Sequence, residues 1–133
     1  MTKGAHLLLV LLLYAAVSGC CTAVPKRNAN LVHVVLFSFP GGLPQSRVRE
    51  FYEDMNRLLT ELPQVETWYI GTPAPTRSPE RPFVDDNYDV AITATFAGQK
   101  RLEDYLLHPN HVAFTRKWES VYEARVFDFY LRS

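Results

Sequence analysis

Residues 31–39 read LVHVVLFSF, and this stretch decides the fold. It is rich in β-branched and aromatic side chains, and only His33 and Ser38 interrupt the apolar run. An extended segment that is apolar on both faces is covered on both faces, which places it in the centre of a sheet. Pro40, Gly41 and Gly42 then end it.

Working outward, residues 44–62 place Val48, Phe51, Tyr52, Met55, Leu58, Leu59 and Leu62 at helical spacing. This is the stripe of an amphipathic helix, with Pro44 near its first turn and Pro63 as its stop. Residues 65–72 (VETWYIGT) predict a second strand. Residues 73–87 hold four prolines and predict a surface flap rather than a tight hairpin. Residues 88–96 (YDVAITATF) alternate strictly and predict the third strand. A short helix is expected over 97–107. A second helical stretch follows His108-Pro109 and carries Val112, Phe114, Trp118, Val121 and Tyr122. Residues 125–131 (RVFDFYL) predict the last strand.

The order is β-α-β-β-α-β, an α+β ferredoxin-like arrangement. Helices packed on one side leave the other sheet face open, yet the first strand is apolar on that side too. A domain of about 100 residues lacks the chain to cover it, so a second copy is expected and the protein reads as a homodimer.

The first twenty residues, MTKGAHLLLVLLLYAAVSGC, combine Lys3 with an apolar run from Leu7 to Ala16. The run is shorter than the ~20 residues that cross a bilayer and has the form of an export signal. Val17-Ser18-Gly19-Cys20 resembles the bacterial lipobox, in which the cysteine is acylated and becomes the mature N-terminus. The expectation is a signal over 1–20, a polar tether over 21–29 and one domain over 30–133, with Cys20 as a lipid anchor to a bacterial membrane or periplasmic surface. The alternative is a signal anchor over 5–24, stopped by Lys26 and Arg27. Cys20 and Cys21 are the only cysteines, so the domain beyond them is held without a disulfide. Past residue 20 there are 13 basic and 14 acidic side chains, and this balance gives no reason to expect nucleic acid as a partner.

The chemically richest stretch runs YLLHPNHVAF over 105–114. Together with His33 in VHVVLFSF, Gly71, the strand YDVAITATF and Phe127-Asp128-Phe129-Tyr130, it resembles the stress-responsive dimeric α/β-barrel family over residues 31–131. That resemblance implies two protomers whose sheets close into a barrel, with a pocket between sheet and helices for a small apolar or aromatic ligand. Most members have no established reaction. One plant branch is a polyketide cyclase similar to this chain at His33, Tyr105 and His111. There the Tyr and the last His act as acid and base in ring closure, which makes Tyr105 and His111 the candidate catalytic pair. A neutral imidazole takes an α-proton while a phenol donates to the developing enolate oxygen. His33, Val90 and His108 are the candidate ligand contacts, Val90 standing where that cyclase has a further pocket histidine.

A structural role stands beside each of these. A His before Pro caps helices, a core-strand His satisfies a buried carbonyl, and a Tyr packs. Related dimeric barrels include haem-degrading monooxygenases, in which reading His111 would ligate iron. No metal or cofactor is expected, because His108 and His111 lack a cysteine or carboxylate beside them and Pro109 argues against a regular helix across the pair.

Overall fold

The computed structural model describes residues 29–132. The signal, Cys20 and nearly all of the tether lie outside the described residues. Among those described, no helix is long and apolar enough to cross a membrane. The elements are β1 (Leu31–Ser38), α1 (Gln45–Glu61), β2 (Thr67–Gly71), β3 (Val90–Phe96), α2 (Gln99–Leu106), α3 (Pro109–Trp118) and β4 (Glu123–Tyr130).

One antiparallel sheet has the order β2-β3-β1-β4, the ferredoxin-like order, and β1 is central as its two apolar faces require. His33 lies opposite Ala94 on β3 and opposite Asp128 on β4. Side chains of directly opposed residues share a face. Leu31, His33, Val35 and Phe37 therefore face the helices with Val90, Ile92, Ala94 and Phe96, while Val34 and Leu36 face away with Phe127.

Local chemistry explains the boundaries. Gly41 and Gly42 turn the chain after β1 at φ of 83° and 76°, a region that L side chains avoid. Pro44, at φ −56°, is preset for helix entry, and its carbonyl accepts from the amides of Arg47 and Val48. Leu62 is held extended ahead of Pro63, ending α1. β2 is shorter than expected from residues 65–72, because the Val65 amide turns back to the Leu62 carbonyl. β3 starts at Val90 rather than at residue 88. The Asp89 amide still donates to the Phe37 carbonyl at 2.8 Å, and its carboxylate accepts from the Phe39 amide at 2.7 Å, clamping the end of β1. β4 starts two residues earlier than expected, at Glu123, which pairs with Ser38.

The core lies between the sheet and the helices. Phe51 is fully buried and meets Phe37, Phe39, Phe114 and Trp118 edge-on, with ring centroids 5.2–5.5 Å apart. The Trp118 indole N–H donates to Asp54 at 3.0 Å, and Lys117 bridges Asp54 and Glu50 at 2.6 Å each, locking α3 onto α1. The Arg47 guanidinium covers the Trp118 ring at 4.4 Å, a cation–π contact.

Candidate functional site

A cavity of about 220 Å³ lies between the sheet and the helices. Val35, Phe37, Met55, Leu58, Ile92 and Phe114 make most of its wall, and His33, Tyr105, His111, Thr115 and Tyr122 bring its polar groups. Among the described residues no lysine or arginine lines it. Leu106, Ala124 and Val126 line it and are also exposed, which puts the mouth between the end of α2 and β4.

The turn between α2 and α3 brings Tyr105 and His111 together, as the His108-Pro109 sequence leads one to expect. Their ring centroids are 4.6 Å apart. Tyr105 is 1% exposed, and burial in apolar surroundings pushes its hydroxyl well above the ordinary phenol range. His111 Nδ1 lies 3.1 Å from the Leu106 carbonyl oxygen. A carbonyl only accepts, so Nδ1 carries the proton and the neutral ring keeps its lone pair on Nε2. Burial lowers the His111 pKa below 6.5; the Leu106 hydrogen bond opposes this, and the charge of His33 adds to it.

His33 projects from β1 into the same cavity, its ring 6.4 Å from that of Tyr105. Its Nδ1 is 2.6 Å from Asp128 Oδ1 on the neighbouring strand. Asp128 was quoted above only within a motif, and its role as the partner of His33 was missed. The available signal was parity: phased on Val126, β4 turns Ala124, Val126, Asp128 and Tyr130 toward the helices, which leaves one carboxylate on the core side. All eight residues of β4 are nevertheless exposed, so no hydrophobic alternation announces the phase.

Two expected contacts lie elsewhere. His108 is the N-cap of α3: its Nδ1 accepts from the Asn110 amide at 3.2 Å, and it does not line the cavity. Pro109 opens α3 as its first residue rather than blocking a helix, since that position needs no amide hydrogen bond. His108 thus ends up outside the helix and His111 inside it. Val90 is 1% exposed opposite Phe37 in the solid core, and it too does not line the cavity. The residue on that strand that does is Ile92, two positions on, about 7 Å along the strand. The cavity is also smaller than the ~300 Å³ at which pockets for larger ligands begin.

The fold has close counterparts among known proteins. Olivetolic acid cyclase from Cannabis sativa is 24% identical over 98 residues, covering 73% of this chain and 92% of that protein. The structure of hydroxynitrile lyase from Passiflora edulis matches with a TM-score of 0.66 at 17% identity, over 80% of this chain and 96% of that one. A dimeric ferredoxin-like protein of unknown function from Thermobifida fusca matches with a TM-score of 0.64 at 19% identity, over 77% of this chain and 92% of that one. At such identities these likenesses establish the fold and not the activity. The family model of the stress responsive A/B barrel domain matches residues 31–131, the whole span from β1 past the end of β4, and the chain belongs to that family.

Proposed function

We propose that the protein is a homodimer whose helix–sheet cavity binds a small, uncharged apolar or aromatic molecule. The observation that carries this is the cavity itself: a largely apolar wall with His33, Tyr105 and His111 gathered in it and, among the described residues, no lysine or arginine to attract an anion. Its volume suits a ligand of about one ring. The dimer is supported by the open apolar face of the sheet and by dimeric counterparts of the fold. The experiment is calorimetric titration of residues 22–133 with phenol, beside mass spectrometry of whatever co-purifies. Saturable binding that Ala124→Trp at the mouth abolishes is expected, whereas benzoate binding more tightly than phenol would contradict the reading.

A second reading, acid–base catalysis on the bound molecule, is favoured by one observation. The hydrogen bond between His111 Nδ1 and the Leu106 carbonyl leaves Nε2 as a base beside Tyr105. The lipobox-like Val17-Ser18-Gly19-Cys20 supports export and anchoring through Cys20. Intact mass of the membrane fraction tests this: an acylated chain beginning at Cys20 is expected, and an unmodified Met1 terminus would contradict it.

A further inference from the structure

We propose that His33, oriented by Asp128, is the proton donor of the cavity, acting opposite His111 as the base, while Tyr105 binds and orients without giving up its proton. This rests on the acid–base reading of the same cavity and reassigns its donor.

The two histidines share one cavity, but their partners differ in kind. His33 stands directly across the β1–β4 ladder from Asp128, with its Nδ1 on a carboxylate at 2.6 Å. A carboxylate only accepts, so Nδ1 carries a proton in either charge state, and the negative charge balances a proton added at Nε2. His111 has a backbone carbonyl on Nδ1, which fixes the tautomer but balances no charge. One ring is thus equipped to carry a proton and the other to lack one, the separation of roles that divides acid from base in an active site.

Tyr105 is the weaker candidate for donor, because its burial makes a phenolate costly. Its ring packs against both histidines, with centroids 6.4 Å from His33 and 4.6 Å from His111. Asp128 is half-exposed and borders a separate cleft of about 290 Å³, with Gln99, Glu103 and Tyr130 along it. Solvent therefore reaches the carboxylate side of the pair, while the ring side stays 5% exposed.

The step balances on an enolisable aryl ketone without any co-reactant. His111 Nε2 takes the α C–H proton, and that electron pair forms the C=C bond. The carbonyl oxygen takes the Nε2 proton of His33, giving a neutral enol. His33 is left neutral with Nδ1–H still on Asp128, and His111 is left as the imidazolium. The reverse step, after exchange with solvent, returns the ketone with deuterium at the α-carbon. His33 and His111 touch the ligand and are the catalytic residues; Asp128 acts through His33 and is a positioning residue.

The test follows α-proton exchange of phenylacetone in deuterium oxide by proton NMR, together with the low-field Nδ1 proton of His33. Wild type is expected to exchange the probe faster than buffer. Asp128→Asn and His33→Gln should each slow exchange on the order of 10²-fold, the usual loss for a general acid. Asp128→Glu should restore part of the rate, and Tyr105→Phe should change it only a few-fold. Asp128→Asn should also erase the low-field His33 signal while leaving the rest of the spectrum in place. Exchange untouched by Asp128→Asn but abolished by Tyr105→Phe would overturn the assignment alone. Wild-type exchange no faster than buffer would overturn the acid–base reading and the assignment together.

Discussion

On the helix-covered face of the sheet, Val35, Phe37, Val90, Ile92, Ala94 and Phe96 of β1 and β3 are each at most 5% exposed, whereas Phe127 and Phe129 of β4 on the opposite face remain 51% and 48% exposed. β4 lies beyond the helices, so its helix-side Val126 and Tyr130 are exposed as well. The same strands build both faces, the open one mixing Val34, Leu36, Phe127 and Phe129 with Thr93, Thr95 and Arg125. The difference is the cover. Three helices close the first face, and where their packing leaves space beside β4 it becomes a cavity that gathers His33, Tyr105 and His111. Among the described residues nothing closes the second. A strand that is apolar on both faces has to satisfy two neighbours, and here one is intramolecular and the other is proposed to be a second copy.

The comparison is tested most severely by Phe51→Ala. This ring sits at the centre of the aromatic cluster, so its removal should cost about 3–5 kcal/mol in urea unfolding. A loss below about 1 kcal/mol would mean that the covered face does not carry the stability. Next comes Phe127→Asp on the open face. Light scattering at micromolar concentration should report a monomer, with far-UV circular dichroism unchanged; a persistent dimer would place the interface elsewhere. The smallest effect concerns pH. Burial holds the folded-state pKa of His111 below its ordinary 6.5, so the unfolded chain binds more protons as pH drops through that value. Stability is therefore full above 6.5 and declines as pH falls toward the lower folded pKa. His111→Gln should flatten that part of the curve, and an unchanged slope would assign it to another group.

The sequence made some of this legible and hid the rest for physical reasons. Element types and their order followed from periodicity, and the centrality of β1 followed from its two apolar faces. The approach of Tyr105 to His111 followed from a proline turn between two helical patterns. His108 was different: whether a His before Pro caps a helix or walls a cavity depends on which residue opens the helix, and here Pro109 itself is first. Val90 was placed on the correct face, but depth along a strand is not encoded by parity. Asp128 stayed hidden because an edge strand exposed on both faces shows no alternation.

The most direct test of the cavity as the functional site is nitrogen NMR of the histidines in residues 22–133 during titration with phenol. His33 and His111 should shift together and saturably while His108, capping α3 outside the cavity, stays still. Shifts confined to His108, or none at any of the three, would contradict the assignment of this cavity as the ligand site.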